Sequence, residues 1–310
     1  MKNKFAVLFF VLIARATFGQ MPPGEYNDLV SRADSLYQAK DYKASGLAYS
    51  AAFKTFGWMG LIDDRYNAAC SWALAGVPDS AFFNLERIAN KGFLKDVDHV
   101  TTDSDLISLH ADKRWTSLIE KVKDNKDRAE KNLNKPLAHE LDSIFEEDQK
   151  YRLMIDDGEK KYSHDSKEMQ SLWQTIREKD SSNLVEVKTI LDRYGWLGAD
   201  VVGEKGNSTL FLVIQHSDLQ TQEKYLPLMK EAVKNGKASP ADLALLTDRV
   251  EMGNGRPQIY GSQIIMKDGR YEIYQIIDEA NVDKRRAEVG LDPLEYYARN
   301  WDIDYKLPAK

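Results

Sequence analysis

Between residues 33 and 88 one order of side chains occurs twice. Ala33, Leu36, a turn at Lys40 to Tyr42, then Ser45, Tyr49 and Ala52 alternate small residues with large ones, and Ala69, Trp72, a turn at Gly76 to Asp79, Ala81 and Leu85 repeat that order 36 residues later. A unit of this length cannot bury its own apolar face. It predicts paired antiparallel helices that stack on neighbours of the same kind, with small residues where helices approach closely and aromatics in the groove between pairs. The second copy ends in Ile88 where the pattern wants alanine, so an irregular helical bundle is the competing reading. Two pairs bury too little surface. A third helical unit is expected over Asp103 to Val122, where Leu106, Leu109, Trp115, Leu118, Ile119 and Val122 recur at helical spacing.

Ahead of the repeat, Lys2 and Lys4 precede an apolar run from Phe5 to Ala14 that gives way to small residues at Ala16 and Gly19. This reads as a secretory signal peptide over residues 1–19, since ten apolar residues fall well short of the roughly 20 of a membrane-spanning helix. No later stretch is longer, so no membrane span is expected. Removing the leader takes Lys2, Lys4 and Arg15, and the formal charge of -6 becomes -6 - 3 = -9. That balance disfavours a nucleic-acid partner. Cys70 is the only cysteine and lies far from the leader, so neither a lipid anchor at the cleavage site nor an internal disulfide is available. The location expected is the periplasm or the medium, as a non-lipidated protein.

The length predicts two domains. The helical module should occupy residues 20–122, a charged helical linker 123–135, and a second domain 136–310. In the latter, Leu137, Leu141, Ile144, Phe145 and Ile155 fall on one helical face, and Asp148 and Arg152 project within the same stripe. Opposite charges four residues apart can pair on a helix, which is the usual condition for burying them, or they can line a pocket. Leu184 to Tyr194 reads as an amphipathic helix stopped by Gly195, with Trp196 folding back on its end. Residues 198–206 read as a loop. Thr209 to Ile214 reads as a buried helix capped by Asn207 and Ser208. Helices are expected over Gln220 to Asn235 and Pro240 to Glu251, the second with Ser239 as cap and Asp242 completing the box. Ile259 to Lys267 and Arg270 to Ile276 flank Asp268-Gly269, a hairpin signal, and Asp292-Pro293 opens a last helix. The fold class is therefore mainly α: a helical repeat module followed by a mostly helical domain with one small β-hairpin.

The repeated order of the N-terminal half resembles a tetratricopeptide repeat. From about Leu137 to Tyr297 the chain resembles an uncharacterised bacterial family, a domain of unknown function, through Asp148-Gln149 with Arg152, Asp180 with Asn183, Tyr194-Gly195-Trp196, Val202-Gly203, Gln215-His216, Asp248-Arg249, Gln258 to Gly261, Arg285-Arg286 and Gly290-Leu291. Ser262 stands where that family more often has threonine. The resemblance implies no activity.

His216 follows an apolar run and has the one side chain that titrates near neutrality. It is a candidate general base or ligand flanked by Gln215, with Asp248 as its orienting acid, or equally a core histidine with both nitrogens satisfied. Arg249, Arg285 and Arg286 offer guanidinium forks to a carboxylate or phosphate, against the plainer reading that they pair across helices. Gln258, Tyr260 and Ser262 alternate on one face of an expected strand, as a binding wall or a buried sheet edge. Asp148, Gln149 and Arg152 complete the candidate ligand-binding set. A metal would have only His216, Asp218 and Asp248 as a seed, so none is expected, and no cofactor. Lys205 precedes Gly206, not the hydroxyl residue a phosphate-binding loop requires, and none of the common catalytic signatures occurs.

Three functions fit. The leading expectation is an exported interaction protein whose repeats bind a peptide or protein partner and whose C-terminal domain recognises a further partner or small polar ligand. The alternatives are a hydrolase-type enzyme on an anionic or amide substrate with His216 as base, and a purely structural envelope protein.

Overall fold

The computed structural model describes Pro22 and residues 24–163, 166–267 and 269–308. The signal peptide expected over residues 1–19 lies outside them, as does Asp268 of the hairpin turn. The protein is mainly α and divides into two compact units, Met21–Lys131 and, C-terminal to it, Asn132–Lys310. No helix among the described residues is long and apolar enough to cross a membrane.

The N-terminal unit begins with two helical hairpins, α1 (Gly24–Gln38) with α2 (Tyr42–Thr55), and α3 (Ile62–Leu74) with α4 (Pro78–Asn90). The repeated positions Ala33, Tyr49, Ala52, Ala69, Trp72, Ala81 and Leu85 are all buried. Small residues set the spacing. The Ser45 hydroxyl donates to the Ala33 carbonyl at 2.9 Å and lies 3.0 Å from the Ser71 hydroxyl. Gly46 is so close to the Trp72 ring that a β-carbon there would stand 2.6 Å from it.

The third helical unit is built in pieces. After α5 (Val97–Thr102), Ser104–Leu109 forms a 3₁₀ turn, and only then does α6 (Lys113–Glu130) begin. Two aspartates punctuate it: the Asp103 carboxylate, where α5 ends and the 3₁₀ turn begins, accepts from the Asp105 amide, and that of Asp112, the cap of α6, accepts from the Arg114 amide, both at 2.9 Å. Leu106, Leu109, Trp115, Leu118, Ile119 and Val122 are buried nonetheless, in one cluster with the second hairpin. Residues 123–130 belong to α6.

In the C-terminal unit, α7 (Lys135–Arg152) ends three residues before Ile155, which starts the short α8 (Ile155–Lys161) and is buried there, so the apolar stripe spans two helices. A long α9 (Lys167–Tyr194) follows, stopped by Gly195 at φ 70° with Trp196 buried behind it. The loop expected over 198–206 is instead the first half of α10 (Ala199–His216), kinked where Gly203 takes φ 75°. Asn207 is thus inside the helix and is no cap; its amide donates to the carbonyls of Leu197 and Lys237. The helices α11 (Leu219–Lys234) and α12 (Pro240–Gly253) complete the layer, and Leu141, Val187, Leu191, Leu210, Ile214, Met229 and Leu246 form its core. Two short strands, β1 (Ile264–Lys267) and β2 (Arg270–Ile273), pair antiparallel with Ile264 opposite Ile273, and α13 (Val282–Glu288) and α14 (Leu294–Arg299) close the chain. Residues 258–263 are not strand, apart from one bridge between Gln258 and Ile276.

Ser239 caps α12 by accepting from the Asp242 amide at 3.2 Å, while the Asp242 side chain is buried. Burial alone pushes its carboxyl up to about 7. Because the folded pKa exceeds the unfolded value, this acid favours the fold most below its unfolded pKa and costs stability progressively as pH rises through the folded one. Asp242→Asn is therefore expected to raise the melting temperature at pH 8 and leave it nearly unchanged at pH 3.5. In the N-terminal unit, Gly46→Ala should drive a methyl into Trp72 and lower stability by about 1–3 kcal/mol in urea unfolding.

Candidate functional site

Three helices of the C-terminal unit bring charged side chains to one buried point. Asp148 and Arg152 lie one turn apart on α7, Asp180 projects from α9 in the stripe that also holds Ile176, Asn183 and Val187, and His216 is the last residue of α10. The side chains of Asp148 and His216 are each 1% exposed and that of Arg152 is 5% exposed. Burial on this scale is tolerated only with partners, and each group has them.

His216 Nδ1 lies 2.9 Å from Asp148 Oδ1. Gln149 Nε2 donates to the other Asp148 oxygen at 2.6 Å. Arg152 Nη1 donates to the Asp148 carbonyl at 2.8 Å and stands 3.4 Å from its carboxylate, while Nη2 forks onto both oxygens of Asp180 at 2.7 and 2.9 Å. One guanidinium therefore bridges two carboxylates on two helices.

The electrostatics follow from this arrangement. Burial opposes ionisation of Asp148, but His216, Arg152 and Gln149 outweigh it and hold the carboxyl below the usual range. Burial raises Asp180, with Arg152 offsetting only part and Asp148 adding repulsion. The two acids move in opposite directions although both feel Arg152 and His216, because Asp148 also takes hydrogen bonds from the histidine and from Gln149. Burial also lowers His216 in spite of Asp148. At neutral pH the imidazole is uncharged, donates from Nδ1 to an ionised Asp148, and carries its lone pair on Nε2.

The orienting acid of His216 is thus Asp148, not Asp248. Asp248 sits in α12 and serves the backbone of residues 259–262: its Oδ1 accepts from the Ile259 amide at 2.7 Å and the Tyr260 amide at 3.0 Å, and its Oδ2 from the Ser262 amide at 3.0 Å and hydroxyl at 2.9 Å. Gln258 is equally occupied. Its amide donates to the Gln263 and Tyr274 carbonyls at 3.1 and 2.7 Å and its oxygen accepts from the Gln263 amide at 2.7 Å.

The arginines expected to read anions also hold this segment. Arg285 Nε donates to the Ile259 carbonyl at 2.9 Å and Nη2 to the Ile277 carbonyl at 2.6 Å, Arg286 Nη1 donates to the Tyr260 carbonyl at 2.7 Å, and the Tyr297 hydroxyl donates to the Ser262 carbonyl at 2.7 Å. The expected face of alternating Gln258, Tyr260 and Ser262 is replaced by a loop wrapped around a carboxylate. The reason is local: with no sheet partner at residues 259–262, their amides and carbonyls take charged side chains instead. Arg249, which follows Asp248 in the chain, has a buried Nε and a pKa lowered to about 10 by burial, with Tyr297 raising it and Arg152 lowering it. Both networks act on its charge.

Of the candidate site residues, Asp148, Gln149, Arg152 and His216 meet, and Gln215 adjoins them. Asp248, Gln258, Tyr260, Arg285 and Arg286 belong to the second network. Asp180 is the participant sequence reasoning left unassigned, although its position between Ile176 and Val187 on one face was readable. Ligand atoms of Asp148, Asp180 and His216 lie within 4.8 Å of one another, a set different from the expected seed, since Asp218 caps α11 through the Thr221 amide at 2.8 Å. Arg152 already supplies the positive charge between these two carboxylates, so the set does not suit a cation.

Fold and site together describe a two-unit helical protein whose C-terminal unit is organised by a buried His–Asp–Arg–Asp centre. Residues 135–310 match the family of unknown function DUF6624, and the chain belongs to that family. No curated protein and no solved structure matches it.

Asp148→Asn removes the charge that faces both Arg152 and His216, and should destabilise the fold by about 3–5 kcal/mol in chemical denaturation. Folded His216 binds its proton more weakly than the unfolded side chain, so its contribution is complete above the unfolded pKa and is lost as pH falls below about 6.5. His216→Gln should flatten that acid limb of the stability profile.

Proposed function

We propose that this is an exported binding protein, with an N-terminal helical unit that holds a peptide or protein partner and a C-terminal unit that recognises a small polar ligand beside the charged centre. The short apolar run at residues 5–14 behind two lysines supports export to the periplasm or medium, and the single Cys70 argues against a lipid anchor. Two helical hairpins with buried small residues at matched positions support the tetratricopeptide-like reading of the first unit.

One observation carries the ligand reading. Asn183 Nδ2 and Gln215 Oε1 are buried and have no hydrogen-bond partner among the described residues. Asn183 is one turn from Asp180 and Gln215 is next to His216. Leaving such groups unmet costs roughly 1–3 kcal/mol each, and a ligand offering an acceptor to one and a donor to the other would remove that cost. An amide group has both. A second reading, a hydrolase on an amide substrate, draws on the 2.9 Å contact between His216 Nδ1 and Asp148, which leaves Nε2 as the basic nitrogen.

Thermal-shift measurements on the full chain with glutamine, asparagine, N-acetylated amino acids and dipeptides test the ligand reading. At least one class should raise the melting temperature by several degrees, and Asn183→Leu with Gln215→Met should abolish that shift while leaving the unliganded protein as stable or more so. No shift with any probe, together with loss of stability in the variants, would mean that the two amides serve only the fold.

A further inference from the structure

In the N-terminal unit two guanidiniums converge on one carbonyl. Arg65 Nη2 donates to the Trp58 carbonyl at 2.6 Å, and Arg87 Nη2 donates to the same oxygen at 3.0 Å. Arg65 is 2% exposed, its Nη1 donates to Asn84 Oδ1 at 2.7 Å, and its guanidinium lies 4.1 Å from the centre of the Phe53 ring. Neither arginine is paired with a carboxylate among the described residues. Burial lowers Arg65 to about 10, and the like charge of Arg87 contributes. Two cations on one neutral acceptor form a locally unbalanced positive site, which elsewhere in this protein does not happen at the buried Arg152.

An exposed aromatic, Phe83, lies beside both guanidiniums, and Trp58, whose carbonyl they share, is exposed as well. Phe83 is 53% exposed, with both guanidiniums 6.0 Å from its ring centre, and Trp58 is also 53% exposed. Trp58 has φ 60°, a left-handed conformation that costs a side-chain-bearing residue about 1–3 kcal/mol and glycine little. The preceding residue, Gly57, has φ 61°, so the turn itself would accept a second glycine. The fold gains little from an exposed tryptophan in this conformation. Exposed aromatics beside arginine are the composition of an interface centre.

We propose that Trp58, Phe83 and Arg87, backed by Arg65, form the docking surface for an acidic peptide segment that carries an apolar side chain. A carboxylate of the segment would pair with Arg87 and offset the charge behind it, while the apolar side chain packs between the two aromatic rings. Charge complementarity selects this occupant: the uncompensated sign at the surface is positive, whereas the chain as a whole carries -6. The inference rests on the reading of the N-terminal unit as a peptide-binding module and assigns that module its surface and the chemistry of its partner.

The test sorts a phage-displayed pool of random octapeptides on the full chain and measures the enriched sequences, synthesised with a fluorescent label, by polarisation. Enriched peptides should contain aspartate or glutamate next to a leucine or aromatic residue. Arg87→Glu and Trp58→Gly should each weaken binding about tenfold or more. Replacing the peptide's acid by lysine should restore binding to the Arg87→Glu protein. Trp58→Gly should melt no lower than the native chain, which separates docking from folding. Enriched peptides without an acid requirement, or with equal affinity for both variants, would overturn this surface while leaving a peptide-binding module elsewhere on the unit. A pool that yields no binder would overturn the surface and the binding reading of the unit together.

Discussion

Arg152 donates to two carboxylates that come from different helices, and the C-terminal unit is arranged around that fork. An isolated charge at this depth would be expelled from the fold or neutralised. Asp148 on its own helix and Asp180 on α9 partner it, and His216 brings α10 to the same place. The apolar core formed by Leu141, Val187, Leu210 and their neighbours holds these helices together without specifying their rotation, because leucine and valine accept many relative positions. A bidentate guanidinium contact accepts few. The charged centre therefore fixes how three otherwise greasy helices face one another.

A second carboxylate does comparable work on irregular backbone. Residues 258–263 belong to no regular element, and a buried segment of that kind exposes amides and carbonyls that must be met. Asp248 meets the amides, and Arg285, Arg286 and Tyr297 meet the carbonyls. Gly261, with φ 74° and Leu294 and Ile276 about it, lets the chain turn tightly enough to surround the carboxylate. Most of the polar residues that mark the family in this half are accounted for by these two networks. Asn183 Nδ2 and Gln215 Oε1 are buried beside the first network without being met by it.

In the N-terminal unit the balance is different. Its helices are spaced by small residues, Gly46 under Trp72 and Ser45 between Ala33 and Ser71, and its charges are largely at the rim. Asp64 and Arg65 are the exceptions: the Asp64 carboxylate accepts from the Tyr26 hydroxyl at 2.6 Å, and the Arg65 guanidinium lies over Phe53 with neutral acceptors. Arg152 is met by two carboxylates, whereas Arg286 in the same unit and Arg65 in the other are held by neutral oxygens beside an aromatic ring.

Local features were readable because each depends on neighbours in the chain. Periodicity located the helices, Ser239 capped α12 as its spacing with Asp242 required, Gly195 stopped α9, and Asp148 and Arg152 were seen to share a buried stripe. What failed were statements about which distant residues meet. His216 lies 68 positions from Asp148, and no local pattern distinguishes that acid from Asp248, which is also buried and also follows a helical stripe. The stretch 198–206 looked like a loop for its glycines, yet Gly206 is where α10 crosses close to Leu141, and a helix with one kink at Gly203 results. Sequence by itself determined the helical class, the small hairpin and the polar residues that had to find partners, since these follow from spacing and side-chain chemistry. The tertiary structure alone decided the pairing, because a buried charge takes whichever opposite group the packing of apolar helices brings within hydrogen-bond reach.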